Sequence, residues 1–106
     1  MKVQKLTEFH RGWVIGDFEP SILRTKDFEV GVLHHPKNEQ WPAHTHYQSW
    51  EYNILVAGKM TLQNILLEAG DVFTLEPGEI ADPTFHEDCT VICVKVPSII
   101  GDKHLI

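Results

Sequence analysis

Residues 43–58 read AHTHYQSWEYNILVAG, and the fold is decided in this stretch. His44 and His46 stand two apart. On a strand, residues i and i+2 point to the same face, so the two imidazoles converge on one spot, as a metal ion requires. Glu51 opens the next apolar run, after the tight segment Tyr47 to Trp50. A chain that turns back there sets Glu51 facing the two histidines from a neighbouring strand. Strand parity puts Asn53, Leu55 and Ala57 on the face of Glu51, a polar mouth above an apolar interior. Two histidines and one carboxylate are a donor set that divalent metals accept. The plainer alternative is a polar loop–strand junction with a solvated Glu51.

Strand signals continue outward on both sides. Val14 to Phe18, Phe28 to Leu33, Ala43 to His46 and Glu51 to Ala57 are short and apolar-rich or extended. Met60 to Gln63, Ile65 to Glu68, Val72 to Leu75 and the β-branched run Thr90 to Val96 follow. Gly58-Lys59, Gln63-Asn64, Ala69-Gly70-Asp71 and Glu76-Pro77-Gly78 are turn signals between them. About eight or nine short strands at this spacing predict an all-β antiparallel sandwich or barrel. No long segment keeps a 3.6-residue apolar period, so helix is confined to a turn near Ser21 to Arg24. The segment Ile99 to Ile106 reads as exposed or packed on a sheet edge.

The 106 residues make one domain, 1–106. A (β/α)8 barrel, at about 250 residues, and a two-half dinucleotide-binding fold are both excluded by length. Nine basic against fifteen acidic residues give a net charge of −6, with no Lys/Arg run. Nucleic acid is therefore not an expected partner. A highly anionic substrate is disfavoured unless a metal compensates locally. No apolar stretch reaches the roughly 18 residues of a membrane span. The start, MKVQKLTEFHRGW, has no apolar core of a secretory signal, and a cytoplasmic protein is expected. Cys89 and Cys93 share one face of one strand, where a disulfide has poor geometry. They read as free thiols in the core or the pocket wall.

The chain from 38 to 58 resembles the first motif of the cupin family, G-x5-HxH-x3–4-E-x6-G, through His44, His46, Glu51 and Gly58. Residues 70–85 are similar to the second motif, G-x5-PxG-x2-H-x3-N, through Gly70, Pro77 and Gly78. The resemblance implies a cupin-type double-stranded β-helix, a jelly-roll barrel, commonly dimeric, with a pocket inside. It also implies a divalent transition metal (Fe, Mn, Ni, Zn or Cu) held by His44, His46 and Glu51. Isomerase, epimerase and dioxygenase activities on a small polar molecule follow as expectations, beside a non-catalytic module that binds a small molecule or metal.

Two departures bear on the site. Asn38 stands for the opening glycine of motif one, and asparagine also takes left-handed turns. In motif two the metal histidine falls on Ala81 and the closing asparagine on Phe85. Asp82 and His86 are the candidate substitutes, as a fourth ligand or as the catalytic group that moves a proton. A regular strand turns Ala81, Pro83 and Phe85 inward; a bulge near Pro83 would bring in Asp82, Thr84 and His86 instead. The site then holds metal with three ligands, recruits Asp82 or His86, or works metal-free through hydrogen bonds.

Among the remaining residues, Trp41, Tyr47 and Trp50 flank the histidine pair and either stack on a ligand or pack as ordinary core or dimer contacts. His34-His35-Pro36 reads as a solvated loop. Tyr52 points away from Glu51.

Overall fold

Alternation of apolar and polar residues decides which way each strand faces, and it is cleanest where two strands flank a third. In the computed structural model, which describes Met1–Ile106, that central strand is Cys89–Val96. Its inward residues Cys89, Val91 and Cys93 are buried and the residues between them are half-buried. In chain order the strands are β1 Trp13–Gly16, β2 Leu23–Arg24, β3 Glu29–His35, β4 His44–His46, β5 Trp50–Ala57 and β6 Lys59–Leu62. There follow β7 Ile65–Glu68, β8 Val72–Leu75, β9 Ile80–Ala81, β10 Thr84–Phe85, β11 Cys89–Val96 and β12 Lys103–Leu105.

A six-stranded sheet runs β2-β1-β3-β11-β5-β8, and two three-stranded sheets run β10-β6-β7 and β12-β4-β9. All pairings are antiparallel except β1 with β2. The core is shared between sheets: Leu55 and Val91 of the large sheet pack with Met60 and Phe85 of a small one. A second cluster joins Leu62, Leu75 and Ala81. This is the jelly-roll arrangement that the motif pattern predicts, with strand bounds within one or two residues of those read from the sequence. Gln63 and Asn64 both take positive φ at the β6–β7 hairpin, as a two-residue primed turn demands. Asn38 takes φ 65°, the left-handed turn that the motif's glycine would supply.

Two expectations are corrected. Ser21 to Arg24 holds no helical turn; Leu23–Arg24 is a strand parallel to β1. Short 3-10 turns lie instead at Leu6–Glu8 and His10–Gly12. His34 and His35 are not loop residues, because β11 extends the ladder of β3 to pair Cys89 with His35. No helix is long and apolar enough to cross a membrane.

Candidate functional site

The site begins with a tight reversal. His44, Thr45 and His46 form β4, and all three are buried. Asp102 then accepts hydrogen bonds from the backbone amides of Tyr47, Gln48 and Ser49 at 3.1, 3.2 and 2.9 Å. Those bonds shape residues 47–49, so that β5 starts with Glu51 turned back toward β4. Burial alone would raise the Asp102 carboxyl; the three amides hold it below its ordinary value. A second anchor runs from the Gly78 amide to the His46 carbonyl at 2.8 Å.

His46 Nε2 lies 3.6 Å from Glu51 Oε2, and both atoms are buried without a hydrogen-bond partner. The other carboxylate oxygen accepts the Cys93 thiol at 3.3 Å. His44 meets His46 with ring centroids 5.3 Å apart and planes nearly perpendicular. Its Nδ1 is held by the Pro42 carbonyl at 3.2 Å, which leaves Nε2 as the nitrogen with a lone pair to offer. Burial lowers the pKa of His44, and the nearby Lys103 adds to it. Burial, then the Lys95 ammonium, pushes His46 down to about 4 against the pull of Glu51. Both imidazoles are therefore neutral near pH 7, the form that binds metals.

His44 and Glu51 stand at a cavity of about 620 Å³, and His46 is not part of its lining. His44, Glu51 and Asn53 line it, above an interior that includes Met60, Phe73 and Phe85. The polar mouth over an apolar floor is thus in place, with the Asn53 Nδ2 also buried and unpaired. The donor chemistry fits a borderline divalent ion: two neutral imidazole nitrogens, one carboxylate, and two of the three donor atoms orphaned and face to face. No three His, Cys, Asp or Glu groups are gathered closely enough to make a formed cluster.

The region of the second motif behaves differently. Ala81 pairs in register with His44 and is buried against the cavity. Pro83 and Phe85 also line the cavity, and Asp82, Thr84 and His86 are exposed. Inward and outward positions alternate regularly from β9 through Pro83 to β10, so the face does not switch at Pro83. Asp82 accepts from the Gln63 amide at 2.8 Å, and the His86 Nε2 meets the Thr61 hydroxyl at 2.6 Å. The structure brings neither residue to the cavity.

Of the three flanking aromatics only Trp41 lines the cavity. Tyr47 stacks on His104 and Trp50 on Tyr52, all outside the cavity. Cys89 and Cys93 are buried free thiols. Burial pushes both upward, Cys93 far above its ordinary value, which keeps it a thiol.

Four cavity residues escape the sequence reading. His35 stacks on Phe85 at 4.4 Å between centroids, and its Nδ1 lies 2.8 Å from Glu39 Oε1. That contact sets Nδ1–H as the donor to the carboxylate and leaves Nε2 on the other edge of the ring. Arg11, Lys95 and Lys103 also line the cavity, from the chain's first turns, β11 and β12. The one signal in the sequence is the parity of Lys95 with the inward Cys89, Val91 and Cys93; Lys103 is set opposite His46 only by the pairing of β12 with β4.

No family model and no curated protein matches the sequence. Solved structures do. An uncharacterised conserved protein with a double-stranded β-helix domain from Klebsiella pneumoniae is 20% identical. The match covers 99% of this chain and 96% of that one, at a TM-score of 0.70. A cupin protein from Bacteroides fragilis is 25% identical over 69% of this chain and 68% of its own, at 0.57. The bacterial pirin YhhW of Escherichia coli, in complex with nickel(II), is 16% identical over 83% of this chain and 39% of that one, at 0.69.

Proposed function

We propose that this chain, which has the double-stranded β-helix fold of the cupins, binds a divalent transition metal and a small polar molecule in its barrel cavity. His44, His46 and Glu51 would hold the ion. The observation that carries the reading is the buried, partnerless pair His46 Nε2 and Glu51 Oε2, 3.6 Å apart beside the free nitrogen of His44. Two buried polar atoms with no partner are costly unless something between them satisfies both. The nickel(II) complex of the similarly folded pirin supports a metal in this fold.

When bound, the ion would polarise a substrate oxygen or activate dioxygen, so isomerase or epimerase chemistry and dioxygenase chemistry are both served. The chain's own groups do the rest. His44 and His46 stay neutral through burial. The Cys93 thiol donates a hydrogen bond to Glu51 and orients that carboxylate. His35, its Nδ1 engaged by Glu39, offers Nε2 to accept or return a proton at a bound molecule. Trp41 and Phe85 close the apolar side against water.

A second reading is a non-catalytic module that binds a metal or small molecule. It is favoured by Ala81, a methyl group where the second motif would supply a further ligand. A homodimer is supported by the outer face of β5 and β8, where Tyr52, Ile54, Val56 and Val72 lie exposed.

The test is elemental analysis of untagged protein purified without chelator, beside His44→Ala/His46→Ala. About one equivalent of transition metal per chain, lost in the double variant, is expected for a single three-ligand site. Protein without metal that gains no thermal stability from added Fe, Mn, Ni, Zn or Cu would leave the metal-free module.

A further inference from the structure

The net charge of −6 hides an uneven distribution. Three of the nine basic residues, Arg11, Lys95 and Lys103, line the cavity beside His44 and Glu51. Two carboxylates, Glu39 and Glu51, line it with them, and each is already engaged by a side chain, His35 for the first and Cys93 for the second. Lys95 lies 3.7 Å from Glu29. Arg11 and Lys103 have no ion-pair partner at all. Instead both sit on one aromatic ring: the Arg11 guanidinium is 4.9 Å and the Lys103 ammonium 4.4 Å from the centroid of Trp41.

Two unpaired cations on one ring repel each other, and the ring's quadrupole offsets only part of that. The backbone holds Arg11 there. Its φ of 54° and ψ of 27° are left-handed, a conformation that a non-glycine residue keeps only when its surroundings impose it. The next residue, Gly12, at φ 83°, presses on β3 so closely that a Cβ would lie 2.0 Å from the Val32 carbonyl oxygen. Phe9, buried, secures the other side of the turn and lines the cavity. Lys103 comes from the far end of the chain, set opposite His46 by the pairing of β12 with β4.

We infer that the cavity takes a small organic monocarboxylate, seated between Arg11 and Lys103 at Trp41, with its apolar body toward Phe73 and Phe85. An anion there gives both cations a partner, by charge-assisted hydrogen bonds in a partly desolvated site. Lys95 has Glu29 as its partner, which leaves Arg11 and Lys103 as the free cations, and the apolar lining at Phe73 and Phe85 suits an anion with an organic body better than inorganic phosphate. The pKa of Lys103, lowered by burial first and by Arg11 and Lys95 next, is consistent with a cation lacking its counter-charge. The inference deepens the proposed function by naming the ligand class of the same cavity, and it requires no metal.

Trp41, beneath Arg11 and Lys103, and Trp13, beneath Lys95, report on the site through intrinsic fluorescence. Full-length protein is titrated with benzoate, pyruvate and acetate at constant ionic strength, in chelator, with benzamide as the neutral isostere of benzoate. A saturable change is expected with at least one carboxylate and not with benzamide, weakened at least tenfold in Arg11→Met/Lys103→Met. If that variant does not fold, Lys103→Met, on an exposed edge residue, replaces it. The inference is overturned if no carboxylate titrates at about 10 mM, if benzamide matches benzoate, or if the variant binds as tightly as the parent. It is also overturned if inorganic phosphate displaces the carboxylate at equal concentration. His44→Ala/His46→Ala separates the two proposals: carboxylate binding that survives in it stands whether or not metal analysis succeeds.

Discussion

The stretch from 38 to 58 and the stretch from 70 to 85 have drifted apart in what they do. In the first, polar side chains face inward: His44 and Glu51 line the cavity, His46 lies 3.6 Å from Glu51, and Asp102 shapes the turn between them. The second keeps only its geometry. Gly70 and Gly78 hold left-handed turns at φ 98° and 88°, and the inward positions are Ala81, Pro83 and Phe85. A barrel needs both turns to close, but a metal or ligand site needs only the side chains that face inward. The turns are therefore kept where the motif's histidine position holds a methyl group, Ala81, and its asparagine position a phenyl ring, Phe85, and a motif match tests the turn more stringently than the site.

If the second stretch is scaffold, breaking its packing should hurt stability most. Phe85 is 1% exposed and stacks on His35. Phe85→Ala should lower unfolding free energy in urea by about 3–5 kcal/mol. A loss under about 1 kcal/mol would mean that this stretch does not hold the core.

The first stretch should instead show itself through pH. The unfolded chain takes up the His46 proton below about pH 6.5, and the folded chain only near 4. Stability of the metal-free protein is thus full above pH 6.5 and is lost as pH falls toward 4, by about 2–3 kcal/mol. His44, also lowered, acts in the same direction. Melting temperature from pH 8 to 4 should fall through that window, and His46→Asn should flatten the curve. A melting temperature that stays level to pH 4 would count against buried neutral imidazoles.

Restoring a ligand to the second stretch tests the comparison from the other side. Ala81 lies in register with His44 at the cavity wall. Ala81→His should tighten metal binding by about tenfold or more, roughly 1.4 kcal/mol, measured by competition with a chelating dye. Unchanged affinity would place the ion away from His44.

How far the sequence discloses all this depends on range. Strands β3, β5, β6, β7, β8 and β11 were legible because alternation and turn chemistry are local. The face shared by Glu51, Asn53 and Leu55 was legible for the same reason. The cation set was not. Arg11 and Lys103 are separated by most of the chain and meet only because β12 pairs with β4 and the first turns fold over Trp41. His35 looked like loop because Pro36 follows it, whereas its strand is extended by pairing with Cys89, more than fifty residues away. The short β2 ladder is likewise a product of tertiary pairing, with no local period to announce it.

The smallest effects should come from the two polar residues that the second stretch turns outward. Asp82 caps the Gln63 amide at the β6–β7 hairpin, where both turn residues carry positive φ, so Asp82→Ala loses one exposed hydrogen bond, about 0.5–1 kcal/mol. His86, exposed and bonded to Thr61, should cost under about 0.5 kcal/mol when replaced by alanine. Neither change should alter metal stoichiometry or affinity by more than about twofold, because regular parity holds both side chains on the far side of the strand from His44. Loss of metal in either variant would require the strand to flip around Pro83. Asp82 or His86 would then replace Ala81 as the inward residue, and the second stretch would have to be counted as chemistry after all.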